Sequence, residues 1–371
     1  MTFDKIIIYV MAVGILIGGI DRIIGNKFGL GKQFEEGFNA MGPLALGMVG
    51  IMTLAPVISK LLGPVIIPVF TWIGADPAMF AIILANDMGG YPLAMELAQI
   101  EQAGLLAGLI VASMFGCTIV FSIPVGLGLI NYEDRPFFAK GLLIGMVTIP
   151  IGGVLGGFIA GFDAKMVLVN NIPVIILSLL FVLGLIFIPR KMIAGALVFG
   201  KFIVVVITIG LVAAAFEQLT GITIVPGMSP IMDAMVVIAQ IGIILLGTFP
   251  ILKLIVKGLD KPLTALGKKI GMDGTSAACI VITLANSIPV YKLMKDMNPR
   301  GKVINTAWLV PATAALGDHL GFTAGVRPDM ITSVVLGKLI AGALAIALAV
   351  FFSKDLSYEI EQSKKMKREK A

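Results

Sequence analysis

Asp318 and His319 stand side by side in the stretch ATAALGDHLGFTAG (312–325), and His319 is the only histidine in the chain. Such a pair can orient a base, counter a cation or relay protons. Two further stretches carry polar groups in apolar surroundings: LAND (84–87), with Asn86 and Asp87, and LANS (284–287), with Asn286. The segment GCTIVFS (116–122) adds Thr118 and Ser122. These groups are rich in acceptors, and no arginine lies within an apolar run except Arg22, at the end of the first. They suit a small cation carrying several N–H or O–H donors, and would serve a carboxylate or phosphate poorly. We therefore take Asn86, Asp87, Thr118, Ser122, Asn286, Asp318 and His319 as candidate substrate-binding residues.

Catalytic and metal chemistry find little support. One histidine and two cysteines, Cys117 and Cys279, both inside apolar segments, make neither a metal set nor a disulfide framework. There is no GxxxxGK[ST] loop and no convincing activated nucleophile. The expectation is no cofactor, no metal and no catalytic residue.

The elements that must position these residues belong in lipid. Of the 371 residues 58% are hydrophobic and 13% charged, too few to cover an ordinary water-exposed surface. Mean hydropathy is +1.02, and apolar runs of span length recur throughout. The expected class is an all-α polytopic membrane protein. Its first segment is read as a membrane helix rather than a cleaved signal, because its apolar core is long and no small-residue cleavage pattern follows. The net charge of +6 does not imply nucleic acid, since the basic residues lie between and after the apolar runs.

About nine full spans are expected, at 6–24, 44–62, 104–130, 137–162, 166–188, 192–216, 234–256, 303–325 and 329–352. Two stretches, 63–90 split by GADP and 261–290 split by GMDG, have arms too short to cross roughly 30 Å of hydrocarbon. They are read as re-entrant or broken-helix hairpins. With the basic C-terminal tail (353–371) cytoplasmic and the N-terminus outside, 22 Lys and Arg fall on the inner side and 4 on the outer. That distribution is the positive-inside pattern.

The halves also echo one another. LAND and LANS are offset by 200 residues, and GCTIVFS and GDHLGFT by 201. A proline precedes each hairpin, at Pro56 and Pro250. The expected architecture is an inverted-repeat transporter of five plus five elements: residues 1–162, a linking helix within 163–190, and residues 191–352. Burying Asp318 mid-span costs roughly 2.5–3.5 kcal/mol on an insertion scale, so a partner must offset it. Lys338, in the last span, is the expected structural ion pair.

At QFEEGFNAMGPLALGMVG, GPVIIPVF, LANDMGG, GCTIVFSIPVGLG, LANSIP, RGKVIN and ALGDHLGF, the chain resembles the EutH family, the ethanolamine transporters of bacterial ethanolamine utilisation. The resemblance runs from the first helix through Phe352. It implies movement of ethanolamine across the cytoplasmic membrane of a bacterium, with the lipid bilayer and the small molecule as partners. Near neutral pH ethanolamine is chiefly an ammonium ion with donors at both ends. Asp87 and Asp318 would counter the ammonium; Asn86, Asn286, Thr118 and Ser122 would bond the hydroxyl. Since the membrane potential draws a cation inward, facilitated uniport by alternating access needs no coupling ion. The rivals are a proton- or cation-coupled carrier relaying through Asp87, Asp318 and His319, and, further off, a membrane-embedded enzyme. The sequence sets no oligomeric state; a homodimer is compatible with it.

Overall fold

The computed structural model describes residues 2–84 and 87–370, the side chains of Leu84, Asp87, Arg190, Asp260, Glu369 and Lys370 excepted. Among the described residues the chain is helical and holds no strand. Seven helices there are long and apolar enough to cross a membrane. This is the build of a polytopic membrane protein.

The chain begins with α1 (Phe3–Ile23), whose 21 residues span about 31 Å at 1.5 Å per residue. A short amphipathic α2 (Leu30–Asn39) leads into α3 (Met41–Trp72). Short pieces follow: a 3₁₀ turn at Pro77–Phe80, α4 (Ala81–Leu84), a second 3₁₀ turn at Asp87–Gly90, and α5 (Tyr91–Leu97). The next stretch is irregular, with α6 (Glu101–Leu105), π-helical segments at Leu106–Val111 and Cys117–Ser122, and α7 (Ile123–Leu129). Regular helices return with α8 (Arg135–Ile159), α9 (Ala164–Phe187), α10 (Pro189–Thr220) and α11 (Ile231–Lys269). A second set of short pieces comprises α12 (Gly274–Ala285), α13 (Ile288–Leu293), α14 (Pro299–Ala312) and α15 (Asp318–Val326). Finally come α16 (Ile331–Phe352) and α17 (Ser357–Lys370).

Two boundaries differ from the sequence expectation. Residues 63–72 are not a separate hairpin arm, because α3 runs unbroken through Pro56, Pro64 and Pro68. Likewise 261–269 continue α11 through Pro250 and Pro262. Away from water, a proline's neighbours gain nothing by leaving the helix, so the helix continues past it. GADP and GMDG are the turns that close these long helices, with Gly74 (φ +75°) and Gly271 (φ +81°) in the left-handed region. The hairpins start after those turns. Two expected spans, 104–130 and 303–325, are not single helices either. The first carries π-helical stretches, and the second unwinds at residues 313–317.

The arrangement reverses a soluble fold. The broken elements are the most buried: Leu106, Leu109, Met114, Val310 and Phe322 are each at most 1% exposed. Leucines and valines of α1, α9 and α10, such as Leu16, Leu180 and Val198, face outward. Regular helices, whose backbone is satisfied internally, can line this apolar rim, while irregular backbone stays inside protein. Glycines let the rim pack closely. A Cβ at Gly14 of α1 would overlap the carbonyl of Gly247 in α11, and one at Gly50 of α3 the carbonyl of Ile207 in α10.

Candidate functional site

Each hairpin is pinned at its start by an aspartate. Asp76 accepts hydrogen bonds from the backbone N–H groups of Ala78 (2.9 Å), Gln99 (3.0 Å) and Ile100 (3.0 Å), while the Asp76 N–H donates to Asn170 Oδ1 (2.6 Å). Asp273 accepts from Ser276 N–H (2.7 Å) and from Asn298 N–H. In both halves one carboxylate thus serves the orphan donors at the first arm's start and ties that start to the next broken span. Asn298 extends the second tie by capping α14 through Gly301 N–H (2.7 Å). A surface cavity of about 360 Å³ borders the first tie, lined by Thr71, Gln99, Asp163, Lys165 and Asn170 among others; none of the candidate substrate residues whose side chains are described lines it.

At the far end of the second hairpin, α12 stops where the chain of the next span unwinds. Ala314 N–H donates to Thr283 O and Leu316 N–H to Leu284 O, both at 2.9 Å. The last carbonyls of α12, which the helix itself leaves unpaired, are thereby satisfied by the unwound backbone of the next span. Ala314 adopts φ +53° to make this possible, a conformation that costs a non-glycine residue of order 1 kcal/mol. A Cβ at Gly317 would run into the Ala285 carbonyl, so glycine is required there for the close approach. Asn286 is exposed, and its Oδ1 accepts from Ile288 N–H (2.8 Å), making it the local cap of α13.

Asp318 opens α15 and is half-buried. The positive end of the helix dipole favours a carboxylate at that position. His319 is fully buried, and its carbonyl accepts from the Thr323 hydroxyl at 2.8 Å. Lys338, fully buried in α16, donates to Ser113 O (2.5 Å) in the turn between the two π-helical segments. It therefore reaches the break of the first irregular span.

The two irregular spans meet at Thr118, whose hydroxyl donates to Met114 O (2.7 Å) and lies 3.2 Å from Val310 O of α14. Ser122, one turn on, lies beside the Tyr291 phenol of α13. The structure thus brings Thr118 and Ser122 of one half against α13 and α14 of the other. The tip of the first hairpin packs on α15, where Tyr91 meets Phe322 edge to face at 5.8 Å. Asn86 and the side chain of Asp87 lie outside the described residues.

Sequence reasoning missed the ion pairs at the two ends of this crossing. Lys302, near the start of α14, pairs with Asp134, just before α8; their side chains are 11% and 3% exposed. Arg327, just after α15, pairs with Glu101 (2.7 Å) at the start of α6 and with Asp329 (2.9 Å). The carboxylates of Asp329 and Glu101 push the Arg327 guanidinium further above its ordinary range. A signal was present: Glu101 and Lys302 have opposite charge at an offset of 201, the same as GCTIVFS and GDHLGFT.

Comparison with known proteins gives a consistent result. Residues 3–352 match the family described as "Ethanolamine utilisation protein, EutH". A Listeria monocytogenes relative named "Probable ethanolamine permease EutH" is 52% identical over 95% of both chains. An Escherichia coli relative of the same name is 47% identical over 94% of this chain and 95% of its own. The Bacillus subtilis protein named "Uncharacterized protein YxeR" is 45% identical over 95% of this chain and 96% of its own. No solved structure matches the chain.

Proposed function

Because the chain belongs to the EutH family of ethanolamine utilisation proteins, we propose that it is an ethanolamine permease of the bacterial cytoplasmic membrane. The observation that carries this reading is the buried crossing of two broken spans in a chain that permease-named relatives match almost end to end. Irregular backbone at membrane depth is tolerated where it lines a substrate path, and there it offers acceptors to a cation.

In this reading the seven long helices and the two irregular spans make nine crossings, with the N-terminus outside and the tail inside. Residues 1–162 and 191–352 are inverted repeats joined by α9, and 353–371 form a basic tail. The matching aspartate ties and the charge distribution support that arrangement. Asp318, held at a helix N-terminus, counters the ammonium, with Lys338 as its structural partner. Asp87, at the first hairpin tip, provides the second carboxylate. His319 braces the start of α15, and Ser122 offers a hydroxyl to the substrate. The bonds already made by Thr118 and Asn286 give those two residues mainly positioning roles. Movement is by alternating access about the two hairpins. A membrane potential supplies roughly 2.3 kcal/mol per charge per 100 mV, so uniport suffices for uptake.

The test is uptake of radiolabelled ethanolamine into proteoliposomes under an imposed potential, comparing wild type with Asp318→Asn and Asp87→Asn. Saturable uptake that follows an inside-negative potential without a pH gradient, and collapses in both variants, is expected. Uptake that requires a pH gradient would replace uniport by proton coupling. No uptake by folded protein under either condition would sink the ethanolamine reading.

A further inference from the structure

Three hydroxyls meet in the protein's interior where helix α12 gives way to α13. Ser287 lies at that break, Tyr291 one turn further on, and Ser122 at the end of the π-helical segment opposite. They are 1%, 1% and 0% exposed, respectively. The Tyr291 phenol sits beside the hydroxyls of both serines, with the Cys117 thiol nearby. Yet none of the three hydroxyls makes a hydrogen bond of normal geometry with another described residue. The three hydroxyls therefore lie together without satisfying one another.

Buried hydroxyls ordinarily find partners, and leaving one unpaired is costly. Three unpaired at one point call for an occupant that can donate and accept at a single small atom. A hydroxyl oxygen does this. An ammonium cannot accept, and none of the groups acting on Tyr291 among the described residues is a carboxylate that would offset its charge. The surroundings hold the ring firmly. Phe138 packs edge-on to Tyr291 at 6.0 Å, and a Cβ added at Gly126 would meet both rings. The π-helical turn that carries Ser122 is a feature often found at functional positions.

We propose that Tyr291, Ser122 and Ser287 form the subsite that recognises the hydroxyl of an amino-alcohol substrate, apart from the carboxylates that counter its ammonium. This rests on the ethanolamine reading above and adds the basis of selectivity for amino-alcohols over plain alkylamines. A site built to bond a substrate hydroxyl rejects the analogue that lacks it, because its own polar groups are then stranded.

The experiment measures proteoliposome uptake of labelled ethanolamine, and its inhibition by ethylamine, for wild type, Tyr291→Phe and a Ser122→Ala/Ser287→Ala double variant. Thermal unfolding and size-exclusion profiles show that each variant is folded. Tyr291→Phe should raise the half-saturating ethanolamine concentration about tenfold, as expected for one lost buried hydrogen bond, with the inhibitory concentration of ethylamine unchanged. Preference for the hydroxyl compound then falls by the same factor, and the serine variant falls likewise. If both ligands weaken equally, or neither changes, the three hydroxyls hold a structural water and the subsite is refuted. Should Tyr291→Phe not fold, the serine variant alone decides. Wild-type protein that takes up no ethanolamine overturns the functional reading and this subsite together; the wild-type arm tells that case from failure of the subsite alone.

Discussion

Lys302 and Arg327 mark the two ends of the same crossing, but removing their charges should have very different consequences. Asp134 has a side chain only 3% exposed and meets Lys302 through Oδ1. Lys302→Met strands that carboxylate in a dry place, and breaking a buried pair by removing one partner costs about 3–5 kcal/mol. Glu101 and Asp329 have side chains 67% and 61% exposed, so Arg327→Met breaks two exposed pairs worth about 0–1 kcal/mol each. At about 2 °C per kcal/mol, the low end for large domains, Lys302→Met should lower the unfolding midpoint by roughly 6–10 °C. The effect of Arg327→Met should stay within about 4 °C on the same scale. The assay is thermal unfolding in detergent at one fixed scan rate, since large proteins often unfold irreversibly. The double variant Asp134→Asn/Lys302→Met removes both charges and should recover most of the loss. Equal effects of Lys302→Met and Arg327→Met, or a double variant as unstable as the two single losses added together, would refute the reasoning.

Three other expectations follow from the same geometry. Gly317→Ala forces a methyl against the Ala285 carbonyl and should cost about 1–3 kcal/mol by overpacking; Gly195→Ala, with open space around it, should be neutral in the same unfolding assay. Asp76→Ala and Asp273→Ala should each lower stability by about 0.5–2 kcal/mol, the loss of a cap, and should do so to a similar extent. If one loss is severe and the other nil, the two ties are not equivalent. Asp355 is held below its ordinary carboxylate value by the hydroxyl and N–H of Ser357, at the entry to α17. A depressed value stabilises above the unfolded value, which is near 4, and that contribution is lost as the pH falls through the folded value. Protection against hydrogen exchange in residues 357–368, taken relative to the intrinsic rate at each pH, should therefore fall more between pH 5 and pH 3 than protection in α16; equal change in both would count against it.

The long rim helices were legible because an apolar run of span length admits few alternatives in lipid. Helices α1, α8, α9 and α16 lie within a few residues of the spans expected from the sequence. The continuity of α3 and α11 was not legible, because proline reads as a stop when its surroundings are unknown. The break at residues 313–317 was hidden for a different reason. ATAALG is as apolar as a helix interior, and only contact with the end of α12, some 30 residues earlier in the chain, makes unwinding favourable. Lys302 was read as a loop charge on the inner side, since its partner is 168 residues away. The candidate residues fared in the same way. Their polarity in apolar surroundings made them conspicuous, but the sequence could not show that Asn286 already spends its carbonyl oxygen on Ile288. Nor could it place Tyr291, an amphipathic aromatic like any other, beside Ser122.

In lipid every backbone polar group needs a partner within the protein, so the breaks can be audited one group at a time. The N-terminal donors of the hairpin arms go to Asp76 and Asp273. The end of α12 goes to Ala314 and Leu316, the start of α13 to Asn286, and the Ser113 carbonyl to Lys338. Each of these groups is consumed in holding irregular backbone at depth, and a chain this apolar has few polar side chains to spare. Three more hydroxyls lie buried beside one another at Tyr291, Ser122 and Ser287, where a phenylalanine and two alanines would fill the same space without stranding any polar atom. What sets Tyr291, Ser122 and Ser287 apart from the other unpartnered buried groups is that they lie together at the break between α12 and α13, which is why the proposed subsite is placed there.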